Sequence, residues 1–190
     1  MIKEIKIYNR FNMDMFAQTG GLNFPYHDRP WNLISIYGCG DAELLTPETI
    51  KVFEGMGCES FLSLDFWDIT PEWITKRNDP SEWDDAILFN KDHANQVLSL
   101  LRKLQKEKED SVLVAHCHAG ISRSGAMGTF ACDYCGLDYN VFIKDNSCIM
   151  ANPYVLKILQ NSTRKKPING WHNGCDFSDE GGILMPPWTR

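Results

Sequence analysis

The chain has 190 residues, and its 43% hydrophobic and 23% charged content is ordinary for one folded domain with a substantial core. A formal net charge of −6 excludes the overall positive footprint of a nucleic-acid or anionic-membrane binder, leaving room for a local basic pocket only. No apolar run approaches the roughly 18 residues of a spanning helix, and Met1 to Lys6 lacks the apolar core of a signal peptide, so a cytoplasmic protein with no nucleic-acid or membrane partner is expected.

In chain order, Ile5–Tyr8 is a candidate first strand, and Leu33–Tyr37 is a β-rich run ending at Gly38. Thr46-Pro47 opens a short helix, with Thr as cap and Pro at the first helical position. Phe61–Phe66 follows as a strand. Ala94, Val97, Leu98, Leu101 and Leu104 recur at helical spacing, and a charged stretch from Lys103 to Asp110 follows. Ser111–Ala115 is a further strand, running into His116-Cys117. After Gly120, the segment from Ser122 to Cys135 reads as a helix stopped by Gly136. Asn152-Pro153 opens another short helix through Leu156 and Leu159, and residues 165–190 form an irregular tail. Strands alternating with helices predict an α/β fold with a mostly parallel central sheet, in a single domain spanning 1–190. Ligands of such sheets bind beyond the carboxyl ends of the strands, where His116-Cys117 falls.

The seven cysteines include one with unusual neighbours, in His116-Cys-His-Ala-Gly-Ile-Ser-Arg-Ser124. A thiolate is a strong nucleophile, but a free thiol is mostly protonated at neutral pH. Five residues looping from Cys117 to Arg123 turn backbone N–H groups inward at a helix N-terminus. Such a nest stabilises both a thiolate and phosphate oxygens. Gly120 allows backbone angles closed to other residues. Arg123 presents a planar fork to two phosphate oxygens, which Lys cannot copy. Ser124 donates a hydrogen bond to the Cys117 sulfur when it leaves, and His116 orients the loop rather than acting as base. By composition, Cys-x5-Arg alone arises about 0.26 times per such chain; adding the preceding His and the Gly lowers this to about 0.0005, so the fuller pattern carries the inference.

This stretch resembles the signature loop of the protein tyrosine phosphatase superfamily, closest to its compact dual-specificity branch. Ile149-Met-Ala-Asn152 is similar to an Ile-x-Pro-Asn segment downstream of that loop, with Ala151 where many members have Pro. The resemblance covers roughly residues 31 to 160. It implies a sheet of about four or five strands flanked by helices. It also implies no metal or cofactor and a two-step reaction through a cysteinyl-phosphate. The family's general acid is an Asp on a loop upstream of the Cys, which points to Asp68, just past the second long strand and 49 residues before Cys117. That gap is longer than is usual in the compact enzymes, and an inserted loop from Pro71 to Trp83 would account for it. Asp65 is expected within the strand, while Asp79, Asp84 and Asp85 are alternatives.

The resulting expectation is hydrolysis of phosphate monoesters. Cys117, Arg123, Asp68 and Ser124 are its catalytic set, His118, Ala119, Gly120, Ile121, Ser122 and Arg123 its substrate-binding loop, and His116 and Asn152 its loop supports. None of the variable loop positions His118, Ala119, Ile121 and Ser122 is Lys or Arg, which weighs against phosphoinositides and favours a phosphorylated protein, phosphotyrosine first. The same chemistry on a non-protein substrate (RNA 5′-phosphate, nucleotide, sugar phosphate or phosphoinositide) and a phosphate-binding module with weak or lost turnover stay as alternatives. Cys132-Asp-Tyr-Cys135 reads as one packed helical face rather than half a metal site. Trp67, Trp73 and Trp83 fit a substrate lid and an ordinary apolar cluster equally. Arg164-Lys165-Lys166 is the one basic run and reads as solvated surface.

Overall fold

A computed structural model of the chain describes residues 1–38, 40–76 and 87–163. Four strands, β1 (Ile2–Asn9), β2 (Trp31–Tyr37), β3 (Cys58–Asp65) and β4 (Ser111–Cys117), form one sheet in the order β1-β4-β2-β3. Every pairing is parallel, so all four carboxyl ends emerge at one edge. The α/β fold with a parallel sheet matches the sequence expectation; β1, β2 and β4 run beyond the stretches read from sequence, while β3 starts three residues before Phe61 and ends at Asp65, one residue short of Phe66.

The helices are α1 (Arg10–Gln18), α2 (Pro47–Gly55), α3 (Pro71–Thr75), α4 (Lys91–Leu104), α5 (Arg123–Cys135), α6 (Tyr139–Asp145) and α7 (Pro153–Ser162). Local chemistry sets their starts. Thr46 caps α2 through a bond from the Thr49 N–H, and Pro47 follows at the first helical position. Asn90 and His93 cap α4 reciprocally. Gly136 ends α5 in the left-handed conformation at φ 68°. Within the stretch read as an inserted loop, residues 71–75 are helical: Thr70 accepts the Trp73 N–H and Pro71 presets the first turn.

Strand alternation divides the core between the two faces of the sheet. Leu113, Ala115 and Cys117 of β4 pack with Ile34, Ile36, Leu64 and Phe66 beneath α4, α5 and α7. Val112 and Val114 point the other way, into a cluster with Trp31, Leu33, Phe53 and Met13 of the α1 and α2 side. His116 and Ser35 share that second face and are register partners on β4 and β2. No helix among the described residues is long and apolar enough to cross a membrane.

Candidate active site

Cys117 is the last residue of β4 and is 2% exposed. The chain beyond it must turn sharply into α5, and Gly120 makes the turn at φ 70°. A Cβ there would lie 2.7 Å from the Asn9 nitrogen, so the loop passes against the end of β1 where only glycine fits.

Three carbonyls of the loop accept from groups outside it. His118 O accepts from Arg10 N at 3.1 Å, Ile121 O from Met150 N at 3.1 Å, and Ser122 O from Asn152 N at 3.1 Å and Ala126 N at 2.9 Å. Among the described residues, no backbone N–H from His118 to Ser122 donates to another backbone group. Ser122 does not cap α5 with its side chain. Among the described residues the N–H groups of this loop are thus left without a backbone acceptor next to a helix start, where backbone N–H groups favour an anion.

Arg123 is 5% exposed, and its five N–H donors can be accounted for one by one. The NH1 nitrogen donates to Tyr37 O at 3.2 Å and to Phe66 O at 3.0 Å, the carbonyls at the ends of β2 and β3. The NH2 nitrogen faces Asp41 Oδ2 at 3.5 Å. Nε is buried without a partner among the described residues. That leaves Nε–H and one NH2 hydrogen side by side, the fork that matches two oxygens of a phosphate. A buried guanidinium N–H is costly without an acceptor, and a phosphate oxygen would supply one.

Ser124 Oγ lies 3.1 Å from Cys117 Sγ and is fully buried. His116 Nε2 lies 2.8 Å from Ser35 Oγ. Burial, reinforced by the charges of Arg10 and Arg123, pushes the His116 imidazole from 6.5 down to about 3, so the ring is neutral and is held as a strut between strands.

Asp68, three residues past β3, reaches the loop. Its Oδ1 accepts from Ser122 Oγ at 2.7 Å and from Asn152 Nδ2 at 2.8 Å. The Asn152 Oδ1 meanwhile caps α7, accepting from Tyr154 N and Val155 N, so one side chain ties α7, the loop and Asp68 together. Asp65 ends β3. Asp79, Asp84 and Asp85 lie outside the described residues, as do Trp83, the basic run at 164–166 and the tail. Trp67 follows β3 with its N–H on Ile87 O at 2.7 Å, and Trp73 sits in α3. Cys132 and Cys135 lie along α5, with burial raising both thiols to about 11.

Sequence reasoning missed Asp41. It lies in the connection after β2, and its Oδ1 is 2.9 Å from His118 Nδ1 while Oδ2 faces Arg123. The argument that found Asp68, a carboxylate just past the carboxyl end of a parallel strand, applies equally to Asp41 after Tyr37.

A strand, a tight loop and a helix bring a buried thiol and a buried arginine to one end of the sheet. The family model described as protein-tyrosine phosphatase matches residues 76–152, the segment that carries this loop. The resemblance to the protein tyrosine phosphatase superfamily thus holds for that segment. Among curated proteins, none matches the chain. Among solved structures, the active form of Tk-PTP aligns over 85% of this chain and 91% of its own, at 12% identity and TM-score 0.44. PTPMT1 in complex with PI(5)P aligns over 84% of this chain and 89% of its own, at 14% identity and TM-score 0.44.

Proposed function

We propose that the chain hydrolyses phosphate monoesters through a cysteinyl-phosphate, with phosphotyrosine on proteins as its first substrate and phosphoserine and phosphothreonine as further ones. The observation that carries the reading is the buried Nε of Arg123, without a partner among the described residues, beside a loop three of whose carbonyls accept from groups outside it.

In the first step the Cys117 sulfur attacks phosphorus in line with the ester oxygen. The S–P bond forms, the P–O bond to the leaving group breaks, and Asp68 delivers a proton to that oxygen. Two donors already occupy Oδ1 of Asp68, so the transferable proton resides on Oδ2. Loop N–H groups from His118 to Arg123, with the free edge of the Arg123 guanidinium, stabilise the equatorial oxygens. In the second step Asp68 takes a proton from water, the water oxygen bonds to phosphorus, and the S–P bond breaks. The Ser124 hydroxyl donates to the departing sulfur.

The substrate class is supported by the rim. Ile121 in the loop and Met150, whose N–H donates to Ile121 O, are 37% and 61% exposed, so the rim carries two exposed apolar residues. Such a ledge suits the aromatic ring carrying the phosphate better than a polar headgroup. The loop's lack of Lys and Arg points the same way.

Phosphate release from a panel of phosphopeptides, phosphoinositides and nucleotides tests the reading, with Cys117→Ser as control. The phosphotyrosine peptide is expected to turn over fastest, and Cys117→Ser to lose turnover while retaining phosphate affinity. A panel led by nucleotide or phosphoinositide would replace the substrate class while leaving the chemistry. Binding without turnover by the wild type would reduce the protein to a phosphate-binding module.

A further inference from the structure

We infer that Phe11 is a specificity-determining residue: it holds an apolar side chain next to the phosphotyrosine, and the preferred substrate is a phosphopeptide with apolar rather than acidic flanks. The inference rests on the proposed phosphotyrosine reading and adds the chemistry around the phosphate. Eight large apolar residues are exposed among the described residues, and singly such residues are ordinary. Their distribution is uneven. Four of them lie at the carboxyl end of the sheet: Phe11 just after β1, Ile87 beside the segment after β3, Ile121 in the loop after β4, and Met150 against Ile121.

Phe11 is the most exposed of the eight, at 68%, and the fold sets it beside the loop. Asn9 ends β1 and caps α1, and a Cβ on Gly120 would lie 2.7 Å from the Asn9 nitrogen. The next residue, Arg10, donates its N–H to His118 O at 3.1 Å. Phe11 follows as the second residue of α1. Met13 and Phe16 turn the other face of this helix into the core, so Phe11 stands outward. Helical side chains lean toward the helix N-terminus, and here that end is the edge where the loop lies. The Arg10 side chain is held by Asp14 and by Ala42 O, which keeps it off the Phe11 ring.

Phe11 and Met150 bracket the site. Met13 and Phe16 of α1 pack in the layer of Trp31, Leu33 and Phe53. Ile149 and Ala151, on either side of Met150, pack in the layer of Ile34, Ile36 and Phe66. The two exposed side chains thus belong to opposite layers, with Cys117 at the end of the strand between them. A peptide laid across the loop meets an apolar group on each flank. The carboxylates of Asp14, Asp41 and Asp68 share this end of the molecule and disfavour acidic flanks. With the net charge of −6 they also disfavour an anionic lipid surface.

The test compares phosphotyrosine peptides that share a Ser/Gly background and carry Leu, Glu or no substitution at single positions on either side of the phosphotyrosine. Phenyl phosphate, which has no flanks, is the reference. A phosphoinositide, in vesicles and in its short-chain soluble form, is a further arm. Wild type is expected to favour at least one Leu peptide over the unsubstituted one by about 3- to 10-fold in kcat/KM, mainly through KM, with no gain from Glu. Phe11→Ser is expected to remove that gain at positions on one flank, each peptide being read relative to phenyl phosphate so that general damage cancels. Truncating so exposed a side chain leaves the core intact. Leu22→Ser, at a residue 65% exposed but beyond the far end of α1, is expected to keep the gain. Equal rates for Leu and unsubstituted peptides, a gain from Glu instead, or a preference unchanged in Phe11→Ser or lost equally in Leu22→Ser would each overturn the inference alone. So would a phosphoinositide turned over faster in vesicles than in soluble form, with that advantage lost in Phe11→Ser, which would make the apolar rim a lipid contact. A wild type that turns over phenyl phosphate but no peptide overturns the phosphotyrosine reading and the inference with it. One that turns over neither overturns the phosphatase chemistry as well.

Discussion

Arg123 and Asp68 show how much of the site is decided by single atoms. Two sheet-edge carbonyls and one carboxylate take the donors on one side of the guanidinium and leave the Nε edge free. Two donors on one oxygen of Asp68 leave the other oxygen for the proton. Asp68→Asn removes that proton while keeping the size of the side chain. The rate loss is expected to be about 10²- to 10⁴-fold for phenyl and alkyl phosphates and much smaller for a nitrophenyl phosphate, whose leaving group needs little protonation. A plot of log kcat/KM against leaving-group pKa should steepen in the variant. An unchanged slope would move the acid to another carboxylate. At this scale the sequence was legible where chemistry is local. Cys117, Arg123 and Ser124 sit within eight residues, so spacing alone put them together. Asp41 contacts partners 77 and 82 residues away, and no spacing rule links it to them.

Among the elements, the turn between β4 and α5 is the one whose shape the chemistry needs most. Gly120 and Gly136 have nearly the same backbone angle, φ 70° and 68°, but differ in their surroundings. A Cβ on Gly136 would meet nothing within 4 Å, while one on Gly120 would press on Asn9 and Tyr8 backbone. Gly136→Ala is therefore expected to cost only the left-handed strain, about 1 kcal/mol of stability, with activity retained. Gly120→Ala adds a collision with β1 and is expected to lose about 2–3 kcal/mol and at least about 10-fold in kcat/KM. Equal effects of the two substitutions, measured by chemical denaturation and turnover, would show that the close approach is unimportant. The long strands and α4 were readable because their apolar periodicity is strong: α4 buries Ala94, Val97, Leu98, Leu101 and Leu104 on one face. α1, α3 and α6 escaped notice for a physical reason. They are only nine, five and seven residues long and bury two, none and one of their side chains, so too few apolar positions recur to show a period.

For the molecule as a whole, the parallel sheet gathers the site from four separate strand ends: Arg10 N after β1, Asp41 after β2, Asp68 after β3 and the loop after β4. Alternating strands and helices predicted such a sheet, but the order β1-β4-β2-β3, which sets β4 between β1 and β2, depends on tertiary packing that no single stretch encodes. The same sheet buries His116, and that burial links stability to acidity. The folded ring resists protonation down to about 3, whereas the unfolded ring binds a proton near 6.5. Below about pH 6 the unfolded state holds the extra proton, so stability falls as pH drops toward 3, by up to about 1.4 kcal/mol per pH unit from this group. Denaturation of wild type and His116→Asn between pH 7 and 4.5 should show a shallower slope in the variant, and parallel curves would mean the ring is not buried neutral. The claim on which everything else depends is that phosphorus passes through the Cys117 sulfur, and it can be measured directly. Wild-type protein is mixed with a phosphotyrosine peptide, quenched in acid during turnover and mapped by mass spectrometry. One phosphoryl group on the peptide containing Cys117, absent from Cys117→Ser, is the predicted result; turnover with no phosphorylated cysteine, or with the phosphoryl group on another residue, would contradict the account.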